Sequence, residues 1–358
     1  MYLLKRIPIF FFFFFGGLFV IPLFTSSPYW FGILGRAAVF AIWAMSWDLF
    51  SGYTGEINFG SAAFIGSAGY IAGIMNTMYG TPPVYTIILC GLMMFIFALI
   101  MGVLTLRVKG PYFAIVTMAI NIICVELTVA VFWKWTRAEE GIPSIQGLST
   151  SPVVVYLLAI IFCCVVFLSL MCITLSKYGK ILKSLRENET AAAASGINVT
   201  FYRVATLGLS GLLFGISGAF NAHMNLHVGI DQIDVFLSVT ILMMTIFGGS
   251  GTIMGPLLGA YFMIVVSEFL RFTETHRMVI YTGIIFFTIF LMPQGIYPSA
   301  KDWMHRFIKE RVTFLSRFLG KGPQQRIYSG KLRILRLLLI TLAPKKQMMI
   351  QKNWKKKF

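Results

Sequence analysis

Apolar runs of membrane-spanning length follow one another through most of this 358-residue chain. A helix needs about 20 residues to cross the hydrocarbon core of a bilayer. Only 12% of the residues are charged, whereas a soluble domain carries about 25%. We therefore expect an all-α, polytopic integral membrane protein with about ten transmembrane helices, between nine and eleven. The candidate spans are 7–24, 33–51, 59–78, 84–106, 112–133, 153–175, 202–222, 234–248, 255–272 and 278–296.

Basic residues are unevenly distributed among the segments that connect these runs. Sixteen of the 30 Lys and Arg lie from Lys301 onward, and five more lie in 176–203. Cytoplasmic loops are enriched in Lys and Arg, so this pattern predicts cytoplasmic termini and a cytoplasmic 176–203 segment. Ten spans then place 134–152 and 223–233 outside. The net charge of +17 thus reflects membrane topology rather than nucleic-acid binding.

Composition divides the chain into a transmembrane region, 1–300, and a basic C-terminal tail, 301–358. Apolar residues from Ile308 to Leu319 recur at helical spacing in the tail, which is typical of basic helices that lie on anionic membrane surfaces. We therefore expect membrane lipids among the partners. A solvated, disordered tail after Pro344 is the alternative.

Catalytic and metal-binding patterns are absent from the sequence. The five cysteines lie in apolar runs without metal-site spacing. His223 and His227 are four residues apart, with only Asp231 or Asp234 as a further ligand. The phosphate-loop pattern Gly-x-x-x-x-Gly-Lys-Ser/Thr does not occur. We expect no enzyme activity, no cofactor and no metal site in this chain.

Two glycine-rich interruptions fall between apolar runs, at 52–64 and 248–256. Irregular backbone at membrane depth is tolerated where it is buried in protein or lines a cavity. Gly251, Gly255 and Gly259 also have the spacing of a close helix contact. Helix packing and a pathway lining are both compatible with these segments.

The segment 176–203 is a polar, helix-prone loop between two long apolar runs. Its centre reads Glu189-Thr-Ala191-Ala192, and Gly196 follows. A polar helix between membrane spans is explained if a protein outside the bilayer binds it. That is how an ATPase subunit would act on a membrane subunit.

Five blocks together resemble the LivM-type permeases of branched-chain amino acid ABC importers. They lie in order at 52–64, 106–119, 185–199, 247–260 and 292–298. The resemblance implies a permease subunit in a bacterial cytoplasmic (inner) membrane that translocates Leu, Ile or Val. It also implies a second homologous permease subunit, two ABC ATPase subunits that hydrolyse ATP, and an extracytoplasmic solute-binding protein.

The resemblance also assigns candidate roles to residues. ATPase coupling through the loop 176–201 would use Lys183, Arg186, Glu189, Ala191, Ala192 and Gly196. The alanines would form a smooth surface for a groove on the ATPase, and Gly196 would end the helix. Candidates for the substrate pathway are Tyr53, Gly55, Glu56, Asn58, Gly60, Ser61, Asn121, Glu126, Gly248, Gly249 and Gly251. Candidates for docking the binding protein are Arg137, Glu139 and Glu140.

Ionisable residues inside a membrane are costly and suggest function, which singles out Asp48, Glu126 and Glu268. The last two could instead be solvated near helix ends. Glu56 stands where the family usually has glutamine, and Ser61 where it often has histidine. These departures concern which solute is transported, so urea, short amides and other amino acids are alternative solutes. An ion-driven secondary transporter that works alone is a second alternative.

Overall fold

A computed structural model of the chain describes residues 9–105, 108, 110–271, 283, 295–300 and 303. Of these residues 83% are helical. The α-helices are α1 (Ile9–Phe24), α2 (Pro28–Trp47), α3 (Ser61–Tyr79), α4 (Pro83–Thr105), α5 (Pro111–Glu126), α6 (Trp133–Thr136), α7 (Pro152–Leu175), α8 (Lys177–Glu187), α9 (Glu189–Ala194), α10 (Val199–Asn225), α11 (Val235–Gly248) and α12 (Met254–Phe269). Two-residue strands β1 (Ile142–Pro143) and β2 (His227–Val228) pair antiparallel.

Two helices continue into π-helical segments, α2 through Asp48–Gly52 and α5 through Leu127–Val131. In the described part of the chain, five helices are long and apolar enough to cross a membrane: Pro28–Gly52, Pro83–Thr105, Pro111–Val131, Pro152–Leu175 and Val199–Asn225. Shorter apolar helices are Phe13–Phe24, Val235–Gly248 and Met254–Phe269. The prediction of an all-α, polytopic membrane protein is confirmed. The predicted span 278–296 and the tail 301–358 lie outside the described residues, apart from isolated positions.

The helix ends form two faces. The face called here the loop face carries α8 and α9, the end of the α2 π-segment and the turn between α11 and α12, which contact one another. The opposite face carries the end of α3, the segment 133–151 and the segment 226–234, which are joined by hydrogen bonds and by the β1–β2 pair.

Helix α2 is the centre of the bundle. Residues from Ala41 to Tyr53 are buried without interruption, and α7, α10, α11 and α12 pack around the helix. A helix that is buried on all sides has to be apolar or small on all sides. Ala37, Ala38, Ala41 and Ala44 are fully buried and meet this requirement.

Glycines set the closest helix contacts. A Cβ at Gly218 of α10 would overlap the Ile65 carbonyl oxygen of α3, and one at Gly259 of α12 would overlap the Met244 carbonyl oxygen of α11. Backbones therefore touch where these helices cross, as small residues permit. Gly255 likewise faces the backbone of Gly249, so the glycine ladder that includes Gly255 and Gly259 packs α12 against α11.

Candidate functional site

Local sequence explains the two helices of the 176–201 loop. Asn188 caps α9, because its side-chain oxygen accepts the Ala191 backbone N–H at 3.0 Å. Glu189 is the first residue of α9, where a negative charge suits the helix dipole. Gly196 follows with φ +83°, a conformation that favours glycine. The short helix predicted here is therefore present, with its start and end where the sequence places them.

The surface of α9 differs from the prediction in one residue. Ala191 is exposed, but Ala192 is buried in the hydrophobic core. Because Ala192 packs into the protein, it does not belong to the exposed surface predicted from both alanines. The exposed side of α9 is instead Thr190, Ala191, Ala193 and Ala194.

Helix α8 contacts the end of the central helix. Its buried residues Leu182 and Leu185 hold it against the body of the protein. The Arg186 guanidinium donates a hydrogen bond to the Gly52 carbonyl oxygen at 2.5 Å, and the Lys183 ammonium lies 5.1 Å from the centre of the Tyr53 ring. Two cations predicted for coupling thus contact the segment that includes the pathway candidate Tyr53.

A buried ion cluster joins α9 to the membrane helices. Arg203, in the first turns of α10, places Nη2 3.0 Å from the Glu56 carboxylate and 3.2 Å from the Glu189 carboxylate. The side chains of Arg203 and Glu56 are each 7% exposed, whereas that of Glu189 is 29% exposed. One guanidinium therefore bridges the connection between α2 and α3 and the 176–201 loop.

Asp48 is fully buried at the start of the α2 π-segment. Its carboxylate accepts backbone N–H groups from Gly251, Thr252 and Ile253 in the turn between α11 and α12, at 2.5, 3.1 and 3.0 Å. Gly251 has φ +78°. A Cβ at Gly251 would lie 2.6 Å from Arg186 Nη1. The turn, the π-segment and α8 therefore meet at one point on the loop face.

The remaining polar candidates of 55–61 lie in tight backbone contacts. The Asn58 side-chain oxygen accepts the Gly60 N–H at 2.7 Å, and the Ser61 hydroxyl lies 3.1 Å from the Ser238 hydroxyl of α11. Gly55 has φ +86°. These contacts fix how the chain passes from α2 into α3.

Asn121 and Glu126, both in α5, occupy different surroundings. Asn121 is fully buried and donates to the Ile233 carbonyl oxygen at 3.1 Å. Its side-chain oxygen has no hydrogen-bond partner among the described residues. Glu126 is exposed.

The glycines at the end of α11 and the last acid of α12 have structural contacts. A Cβ at Gly248 would overlap the Gly255 carbonyl oxygen, and Gly249 adopts φ +116°. Glu268 lies one residue before the end of α12 and bonds the Tyr29 hydroxyl at 2.7 Å and Arg271 at 3.1 Å.

The opposite face contains a cavity of about 430 Å³, lined by Asn76, Thr77, Gly80, Arg137, Pro143, Ser144 and Gln146. Arg137, Glu139 and Glu140 are all exposed there. His223 is buried below, and its ring nitrogens lie 2.7 Å from the Thr86 hydroxyl and 2.7 Å from the Gln146 carbonyl oxygen. Among the described residues no group of three His, Cys, Asp or Glu could hold a metal.

Sequence reasoning missed Arg203 as a site residue and counted it only as one of the charges of 176–203. It also missed Ser238, whose hydroxyl oxygen accepts the Ala62 N–H at 2.9 Å. A single basic residue at the start of an apolar helix was the available signal for Arg203. No pattern in the sequence indicated that Glu56, 147 positions earlier, would meet it.

Comparison with known proteins agrees with the motif blocks. Residues 29–292 match the family described as branched-chain amino acid transport system / permease component. Two relatives are the high-affinity branched-chain amino acid transport system permease proteins LivM of Salmonella typhimurium (strain LT2) and Escherichia coli (strain K12). Each is 22% identical over 324 residues, which cover 79% of this chain and 75% of the relative. No solved structure matches the chain.

The family match spans α2 to α12, and so includes every contact of the loop face described above. The predicted resemblance to LivM-type permeases is confirmed. This chain belongs to the family of branched-chain amino acid transport system permease components.

Proposed function

We propose that this chain is the membrane-spanning permease subunit of an ATP-driven ABC importer for the branched-chain amino acids Leu, Ile and Val. The names of the family and of both relatives support the solute. The bacterial relatives support a bacterial cytoplasmic membrane, and the distribution of basic residues supports cytoplasmic termini. ATP is then hydrolysed by partner chains.

The observation that carries this proposal is the attachment of the 176–201 loop. Its two helices expose one side and fix the other to the central helix through Arg186 and to α10 through Glu189. A loop that only connected two spans would not need to pair Glu189 with the buried Arg203 or to bond the backbone of the central helix. The arrangement suits a part that receives force from a bound ATPase subunit.

The other partners follow from the same assignment. A second homologous permease subunit completes the translocation pathway, and the apolar outer sides of α4 and α5, with Ile96 and Ile115 exposed, leave room for it or for lipid. A solute-binding protein docks on the opposite face at Arg137, Glu139 and Glu140. Charge complementarity there would mainly set the rate of encounter.

The pathway candidates divide into two groups under this proposal. Tyr53 contacts Lys183 of the loop and Glu56 contacts Arg203 of α10, and both serve coupling. Ser61 and Asn121 instead bond residues of α11 and of the segment before it. The unused side-chain oxygen of Asn121 is suited to accept a hydrogen bond from the ammonium group of a passing amino acid. Such a site would bind the amino acid weakly, and weak binding suits release of the amino acid.

The substitution Glu189→Arg tests the proposal in cells or vesicles that contain all subunits. We expect ATP-driven uptake of leucine to be lost while the protein still inserts into the membrane, because the new cation would face Arg203. Glu187→Arg is the matched control, since Glu187 is exposed two residues away. Normal uptake by Glu189→Arg would refute coupling through this loop. Uptake by the chain alone under an ion gradient would favour a secondary transporter.

A further inference from the structure

We propose that Arg203 is a positioning residue that couples α9 to the membrane helices by exchanging its contact with Glu189 for a second hydrogen bond to Glu56. This inference rests on the proposed function, because it concerns how the 176–201 loop transmits force. Glu56 was predicted to line the substrate pathway; in this proposal it is the fixed anchor of the exchange.

The first support is the geometry of the cluster. A single guanidinium nitrogen, Nη2, contacts both carboxylates, at 3.0 and 3.2 Å. Arg203 Nε and Glu56 Oε2 are buried and make no hydrogen bond within the described part of the chain. Guanidinium and carboxylate groups prefer two parallel hydrogen bonds. In a second arrangement Arg203 would bind Glu56 through two hydrogen bonds, from Nη2 to Oε1 and from Nε to Oε2. That arrangement would therefore add the hydrogen bond between Nε and Oε2, which is absent from this structure.

The second support is the difference in burial between the acids. Glu56 is 7% exposed and Glu189 is 29% exposed. If Glu189 leaves, a neutral Glu56–Arg203 pair stays buried and Glu189 moves into water. If Arg203 instead left Glu56, an uncompensated charge would stay buried, which is strongly unfavourable. Of the two contacts of Arg203, the one that can be released is therefore the contact with Glu189 of α9.

The third support is the place of Glu189 in α9. Of the six residues of this helix only Ala192 is buried. The ion pair from its first residue therefore joins a largely exposed helix to the buried Arg203. A partner that pulls on the exposed side of α9 acts directly on the Glu189–Arg203 contact. The buried end of that contact reaches Glu56, next to the end of the α2 π-segment.

The first experiment measures leucine imported per ATP hydrolysed by the complete reconstituted transporter. Glu189→Gln removes the negative charge of this side chain and keeps its shape. The ion pair with Arg203 is then lost, so a movement of α9 no longer acts on Arg203. We expect the ratio to fall about tenfold, the effect of losing a charged contact worth ~1.4 kcal/mol, while ATP hydrolysis continues. Glu187→Gln should leave the ratio unchanged. An unchanged ratio in Glu189→Gln overturns the proposal.

The second experiment inverts the whole cluster. The triple variant Glu56→Arg/Arg203→Glu/Glu189→Arg restores complementary charges at all three positions. We expect it to recover at least about a tenth of the wild-type uptake, well above the single variant Glu189→Arg. A triple variant that stays as inactive as the single one, or that fails to assemble with the ATPase subunits, overturns the exchange. Normal uptake in the single variant would instead overturn the proposed function itself.

Discussion

Asp48 accepts the backbone N–H of Gly251, across 203 positions of sequence and inside the membrane region. The same carboxylate also accepts the N–H groups of Thr252 and Ile253. Three donors on one carboxylate offset part of the cost of burying its charge. The turn between α11 and α12 is thereby fixed to the central helix, at the place where Arg186 also reaches.

Removal of the Asp48 carboxylate should destabilise the protein. Asp48→Ala leaves three N–H groups without this acceptor, and that of Ile253 is buried. A buried group without a partner costs about 1–3 kcal/mol. We expect a clear drop in the thermal unfolding temperature of the detergent-solubilised protein. Ser46→Ala is the control, because its buried hydroxyl donates to the Ile42 carbonyl oxygen of its own helix. Equal stability of the two variants would show that the turn is held in another way.

Arg186 should be important for ATP-driven uptake although its side chain is exposed. Arg186→Ala removes the hydrogen bond to the Gly52 carbonyl oxygen, and a bond to a charged donor contributes ~1.5–3 kcal/mol. We expect ATP-driven leucine uptake to fall about tenfold with normal membrane insertion. Lys180→Ala, an exposed cation on the same helix, should have little effect. Similar uptake by both variants would argue against force transmission through α8.

Much of this fold could be predicted because the sequence signals of a membrane protein are mostly local. Span length, charge asymmetry and the helix signals at Asn188 and Gly196 depend on neighbouring residues. They placed α1 to α5, α7 and α10 to α12 to within about five residues, and they placed the short helix α9. The helices α6 and α8 were not predicted as separate elements. The long-range pairs could not be found this way. Asp48 with Gly251, and Glu56 with Arg203, depend on how distant helices pack, which periodicity does not encode.

The glycine contact between α11 and α12 is a second packing prediction. Gly259→Ala places a methyl group against the Met244 carbonyl oxygen, and such overpacking costs roughly 1–3 kcal/mol. We expect a lower unfolding temperature in detergent. Gly35→Ala in α2 is the control, since its nearest neighbour would be the Met224 sulfur at 3.8 Å. A tolerated Gly259→Ala would mean that the helices can separate without cost.

The two alanines of α9 illustrate a different limit of sequence reasoning. A run of four alanines carries no hydrophobic period, so nothing in the sequence distinguishes the side that faces the protein. Packing against the core selected Ala192. The neighbouring Leu182 and Leu185 of α8, by contrast, are apolar among charged residues and could be assigned to the buried side from their spacing.

Arg137 should affect the encounter with the solute-binding protein. Arg137→Glu reverses an exposed charge on the opposite face, and rim charges act mainly on association rates. We expect a higher concentration of binding protein for half-maximal uptake, with little change in the maximal rate. Lys134→Glu, exposed in the same segment, reports whether any charge there suffices. A change confined to the maximal rate would place Arg137 in the pathway instead.

The central claim is that α9 lies on the cytoplasmic side of the membrane. Cysteine can be introduced at Thr190 and at Glu139, both accessible, in a variant without the five native cysteines. In intact cells a membrane-impermeant thiol reagent should label position 139 and spare position 190, which should react only after the cells are opened. Labelling of position 190 in intact cells would contradict the account, because no cytoplasmic ATPase could then reach the loop.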